Sequence, residues 1–131
     1  MDLVSPGPSQ PPGPYDFAAV RTRLAAFPGA SEDMPFGPDV LVFKVAGKMF
    51  ALLPIVGEPP RVNLKCDPMR ALALRAEYAS IQPGYHQDKK HWNTLLLDGS
   101  VPPTLLLELI EHSYALVVAG LTRAQRAALS D

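Results

Sequence analysis

Residues 40–65 constrain the fold more tightly than any other stretch. Two short runs of apolar, β-branched and aromatic residues, VLVFKV and KMFALLP, flank Ala46-Gly47. Such runs around a two-residue turn predict a β-hairpin, with strands near 40–45 and 48–53. A proline-rich turn from Pro54 to Pro60 then leads into Arg61-Val62-Asn63-Leu64-Lys65, which alternates strictly. Successive side chains of a strand point to opposite faces, so Val62 and Leu64 belong to the core and Arg61, Asn63 and Lys65 to the other side. By the same rule Lys44 shares a face with Val40 and Val42, and Lys48 shares one with Phe50. Three strands on short connections make an antiparallel sheet, and its apolar side needs helices against it.

Helices are available on both sides of that stretch. Asp16 is a good N-cap, and Phe17, Val20, Leu24 and Phe27 follow at helical spacing until Pro28-Gly29. Arg21 and Arg23 fall on the solvated side. The stretch SEDMPFGPDV reads as loop. Asp67-Pro68 is an N-cap followed by proline at the first helical position, opening a helix through Met69, Leu72 and Ala73 to about Tyr78. Pro83-Gly84 is a turn, residues 85–91 are polar, and Trp92 to Leu97 is a strand closed by Asp98-Gly99. Pro102-Pro103 opens a last long helix near 103–119, with Leu105, Leu106, Leu109, Tyr114 and Val117 as its apolar stripe and Gly120 as its C′ residue. Thr122 and Gln125 have capping-box spacing for a short terminal helix. The expected class is α+β, an antiparallel sheet backed by helices on one face.

With 131 residues the chain holds one domain, expected over 15–131. The first 14 residues contain five Pro and two Gly and read as a disordered or polyproline-like tail. The tail has Asp2 and no continuous apolar stretch, which argues against a signal peptide. A single cysteine excludes an internal disulfide framework and a multi-cysteine zinc site. No apolar run approaches the length of a membrane span. The expectation is a cytoplasmic protein, monomeric and without a cofactor.

Net charge is −1, which excludes a strongly basic nucleic-acid binder but not a local patch. Residues 41–92 hold eight basic groups (Lys44, Lys48, Arg61, Lys65, Arg70, Arg75, Lys89, Lys90) against four acidic ones, a balance of +4 that leaves −5 for the rest. Arg61 and Lys65, joined by Lys44 and Lys48, would make the uncovered sheet face basic, and the 85–91 loop adds Lys89, Lys90, His86 and His91. Cations so placed suit phosphates, because they release counterions condensed on a polyanion. Tyr85 and Trp92 could stack on bases. Alternation points Cys66 toward the core, as a structural thiol. Glu108 and Glu111 read as solvated. His86, Asp88 and His91, with His112 or Cys66, could converge on a metal, but their spacing matches no established ligand signature, and no metal is expected. No nucleophile elbow, P-loop, dinucleotide fingerprint or zinc-protease motif is present.

MPFG at 34–37, VFKVAGKMFALL at 42–53, VNLKCDP at 62–68, IQPGYHQDKKHWNTLLLDGSVP at 81–102 and HSYALV at 112–117 together resemble the MmcQ/YjbR family of small bacterial proteins. The resemblance spans about residues 15 to 121, and PGYHxxKKHWN is its most specific block. It implies a CyaY-like α+β fold and a DNA-binding role through a double-wing arrangement, with no catalytic activity. Its pattern falls on Lys44, Lys48, Phe50, Lys65, Tyr85, His86, Lys89, Lys90, His91, Trp92 and Asn93. Gln87-Asp88 departs from the Met-Asn-like pair common in the family and sets a carboxylate beside Lys89 and Lys90. The expected nucleic-acid site is therefore Lys44, Lys48, Arg61, Lys65, Tyr85, His86, Lys89, Lys90, His91 and Asn93. A module for a protein or small anionic ligand on the same face is the alternative. An enzyme with a site around Tyr85, His86 and His91 is a third reading.

Overall fold

The computed structural model describes residues 15–84 and 87–129. The Pro-rich tail lies outside the described residues. The elements are α1 (Phe17–Ala25), β1 (Ala30–Asp33), β2 (Val40–Val45), β3 (Lys48–Pro54), β4 (Arg61–Lys65), α2 (Pro68–Glu77), β5 (Ile81–Pro83), β6 (Trp92–Leu96), α3 (Pro103–Ala119) and α4 (Arg123–Leu129). The strands form one sheet in the order β1-β2-β3-β4-β6-β5, with every pairing antiparallel.

Local chemistry explains the segments that match expectation. Ala46 and Gly47 take φ values of 51° and 79°, the positive pair that a two-residue hairpin turn requires. The Asp67 carboxylate accepts from the Arg70 backbone N–H at 3.1 Å and caps α2. Thr122 and Gln125 exchange both capping-box hydrogen bonds, at 2.9 and 3.1 Å. Asp16 stands at the N-cap of α1 but makes no side-chain cap bond. Gly120 closes α3 in right-handed geometry, with φ −88°, rather than as a left-handed C′ residue.

Two strands escape the sequence pattern. β1 occupies part of the stretch expected to be loop. Its residues Ala-Ser-Glu-Asp are mostly exposed, so it carries no apolar alternation and is held by its ladder to β2. β5 is three residues long, includes Pro83, and sits at the other edge of the sheet, where a missing N–H costs little.

The helices lie on one face. Val20 and Leu24 of α1, Ala71 and Leu74 of α2, and Leu106, Leu109, Ile110 and Val117 of α3 pack with Leu41, Phe43, Val45, Leu53, Val62, Leu64 and Leu95 of the sheet. One irregularity shapes this core. Phe43 pairs with Ala51 but Lys44 pairs with Met49, so Phe50 is an extra residue, a β-bulge. Phe50 and Ala51 are both buried in the helix-side core, where the Phe50 ring meets Phe27, Phe43 and Tyr114 with centroids 5.8, 6.4 and 5.3 Å away. The bulge ends the β3–β4 ladder at Ala51 and Leu64. Ser113 of α3 fills the gap. Its hydroxyl accepts from the Lys65 N–H at 2.8 Å and donates to the Phe50 carbonyl at 2.5 Å.

The bulge also corrects the reading of the hairpin. Met49 shares a face with Lys44, whereas Lys48 pairs with Val45 and lies on the helix side at the hairpin tip. The face opposite the helices is not simply a solvated basic surface. Val42, Leu52 and Trp92 form a second buried cluster there, with Val40 and Met49 packed against it.

Ser113→Ala strands a buried donor and a buried acceptor together and is expected to cost about 2 kcal/mol in urea unfolding. A variant within half a kcal/mol of the parent would show the bridge to be energetically idle. Gly84→Ala places a Cβ 2.7 Å from Trp92 Cβ and 2.9 Å from its carbonyl oxygen. That overlap should cost roughly 1–3 kcal/mol by the same measurement.

Candidate nucleic-acid interface

The face opposite the helices is laid out in rows by the register. One row runs Ser31, Lys44, Met49 and, beyond the bulge, Lys65 and Trp92. The next runs Asp33, Val42, Leu52, Asn63, Thr94 and Gln82. Arg61 lies four residues from Lys65 along β4, roughly 13 Å away toward the opposite end. Lys44 and Lys65 stand two strands apart, about 10 Å, at the end where the hairpin turn and the loop before β6 also lie.

That loop is held from the helix side. Arg75 of α2 donates through Nε to Asn93 Oδ1 at 2.7 Å, and through Nη2 to the Lys89 carbonyl and, at 3.4 Å, to the Trp92 carbonyl. Asp88 organises the loop from within. Its carboxylate meets His91 Nδ1 at 2.6 Å and accepts from the Lys90 N–H at 3.0 Å. Those bonds hold the Asp88 carboxyl below the usual range, the His91 contact first and the Lys90 N–H second. The carboxylate that sets this chain apart from the family pattern is therefore engaged by its own loop.

The expected site residues divide. Lys44, Arg61 and Lys65 share the face opposite the helices, and Lys89 and Lys90 are exposed on the loop before β6. Lys48 does not join them, for the reason given above. Asn93 also departs: it pairs with Leu64 on the helix side, is 2% exposed, and its amide is spent on Arg75 and on the Ala71 carbonyl. His91 is tied to Asp88. Tyr85 and His86 lie outside the described residues. Trp92 is buried against Val42 and Leu52 rather than free to stack on a base. Two basic groups of the segment are consumed by the fold: Arg75 as described, and Arg70 in a two-pronged contact with Glu108 at 2.7 and 2.5 Å. Glu108 is thus an ion-pair partner and not simply solvated. By contrast, Lys44, Lys65, Lys89 and Lys90 enter no ion pair among the described residues.

No group of three metal-ligating side chains gathers among the described residues. Cys66 is buried, and desolvation pushes its thiol upward, so it stays protonated and a poor nucleophile. His112 sits beside it. Its Nε2 accepts from the Asp67 N–H at 3.3 Å. Burial first, and then the Arg70 charge, lowers its pKa. No helix among the described residues is long and apolar enough to cross a membrane.

An open six-stranded antiparallel sheet with helices on one face defines a class of small α+β domains. The family model for YjbR matches residues 25–116, and the chain belongs to that family. Relatives include YbdF of Escherichia coli O157:H7, 44% identical over 89 residues that cover 68% of this chain and 73% of the relative. YjbR of Escherichia coli K12 is 34% identical over 101 residues, covering 77% and 86%. The crystal structure of Deinococcus radiodurans protein DR2400, a DUF419 domain, superposes with a TM-score of 0.81 at 44% identity, covering 86% of each chain.

A neutral His112 is favoured in the folded state and not in the unfolded one. Stability should therefore fall as pH drops below roughly 6.5, where the unfolded histidine gains its proton first. His112→Gln should flatten the thermal midpoint between pH 7 and pH 5. An unchanged slope in that variant would remove His112 as the source.

Proposed function

We propose that this protein is a non-enzymatic, cytoplasmic DNA-binding module that grips the phosphate backbone with Lys44, Lys65, Lys89 and Lys90. The supporting observation is the sorting of cations. Arg70 and Arg75 serve the fold, while Lys44 and Lys65 stand at one end of the open face, Lys89 and Lys90 lie on the loop at that end, and none of the four has a carboxylate partner among the described residues. Point charges on flexible stems follow a phosphate backbone without reading its sequence, so sequence preference should be weak. The DNA-binding part of the reading also rests on what the MmcQ/YjbR resemblance implies.

Four phosphate contacts on duplex DNA imply a log–log salt slope of about −3.6. Lys89→Ala combined with Lys90→Ala should reduce its magnitude by up to about 1.8, and Lys44→Ala with Lys65→Ala by a similar amount. Fluorescence anisotropy of a labelled duplex across a salt series measures both. A flat salt response, or double variants that bind like the parent, would refute the assignment.

A further inference from the structure

A second feature of the same face has different chemistry. A cleft of about 700 Å³ opens there, lined by Phe36, Asp39, Val40, Leu52, Pro54, Val56, Arg61, Asn63 and Gln87. That size is within the usual range for small-molecule sites. Its walls are mostly apolar. Phe36 and Val56 are 62% and 64% exposed, and both belong to that lining. Large apolar side chains left in water around a concavity mark a surface that something covers.

The polar groups are few and specific. Asn63 is 5% exposed, and its Oδ1 accepts from Thr94 Oγ1 at 2.6 Å. That bond fixes the carboxamide, yet its Nδ2 has no acceptor among the described residues. A buried amide N–H without a partner costs about 1–3 kcal/mol, so a donor left open beside a cleft is a site for an acceptor. Arg61 supplies the charge. Its guanidinium lies over Gly57, with Nη2 3.4 Å and Nε 3.5 Å from where a Cβ would be, and it enters no ion pair among the described residues. Gly57 has φ 129°, a conformation that other residues rarely adopt, so the turn beneath the guanidinium depends on glycine.

A fixed amide donor and a guanidinium without an ion-pair partner among the described residues, both lining a mostly apolar cleft, match a carboxylate on an apolar body. Asp39 also lines the cleft and disfavours a second negative charge, so a phosphate dianion is a poorer fit. We infer that this cleft is a binding site for a small monocarboxylate with an aromatic or branched aliphatic body. Its carboxylate meets Arg61 and Asn63, and its apolar part rests on Phe36, Val40, Leu52 and Val56. The site shares no residue with the lysine grip, so DNA binding can fail without affecting it.

The test is a titration of the ¹⁵N-labelled protein with phenylacetate, followed by NMR. The Asn63 side-chain amide pair and the backbone signals of Val40, Leu52 and Val56 should shift together and saturate. Phenylacetamide, of similar shape but without the charge, should bind at least about tenfold more weakly. Arg61→Gln should weaken phenylacetate by about tenfold or more. Asn63→Asp keeps an acceptor for Thr94 but replaces the donor by a negative charge, and it should abolish binding. Val56→Asp, on an exposed turn, tests the same point without touching a buried group. L-phenylalanine adds an ammonium group for Asp39; tighter binding than phenylacetate would assign the site to α-amino acids, and weaker binding to simple carboxylic acids. The inference is overturned if neither compound moves the Asn63 amide signals, or if Arg61→Gln binds phenylacetate as the parent does.

Discussion

The sheet depends on how one extra residue is accommodated. Phe50 bulges out of β3, so two consecutive residues, Phe50 and Ala51, are buried on the helix side. The bulge leaves the Phe50 carbonyl and the Lys65 N–H without each other, deep under α3. Ser113 answers both with one hydroxyl, and a hydroxyl can do so because it donates and accepts at once. This contact pins α3 across β3 and β4 at one height. It also sets the parity of everything toward the hairpin tip. Met49 and Lys44 fall on the open face and Lys48 on the other because the alternation restarts at the bulge. The position of the cationic end is thus a consequence of packing in the core behind it.

The open face keeps a buried polar centre between apolar neighbours. Asn63 and Thr94 are opposite each other on β4 and β6, both nearly fully buried, with Leu52 beside Asn63 on β3. An apolar pair there would have extended the Val42, Leu52 and Trp92 cluster without the cost of desolvating an amide. The hydrogen bond between the two side chains offsets part of that cost, and the Asn63 amide nitrogen has no acceptor among the described residues.

Much of the fold was legible because local rules and packing agree. The hairpin follows from two apolar runs around a turn, α2 from Asp67-Pro68, and α4 from the Thr122–Gln125 pair. The strict alternation of residues 61–65 correctly separates Val62 and Leu64 from Arg61 and Lys65. It also puts Asn63 on the correct face but does not show that Asn63 is buried there, because alternation assigns a face and says nothing about what lies over it. β1 was illegible for a related reason: an edge strand of Ser, Glu and Asp is paid for by backbone hydrogen bonds, which leave no trace in side-chain pattern. The bulge was hidden in Lys48–Pro54, where nearly every residue is apolar and either parity reads as a strand.

The candidate site shows what charge counting omits. Eight basic residues in one segment suggest a strong patch, but cations differ in what the fold asks of them. Arginine offers several donors in a rigid planar fork, so it is drawn into structure: Arg75 joins a carboxamide to two loop carbonyls, and Arg70 grips Glu108 with two nitrogens. Lysine offers a mobile, strongly hydrated point charge, and among the described residues the side chains of Lys44, Lys65, Lys89 and Lys90 remain outside such networks, apart from one long Lys89 contact to the Gly84 carbonyl at 3.4 Å. Arg61 is the exception among the arginines. It has the same fork and no carboxylate in its grasp among the described residues, and it lines the cleft on the open face. The identity of each cation, more than their number, separates the groups that hold the molecule together from those left to meet a ligand.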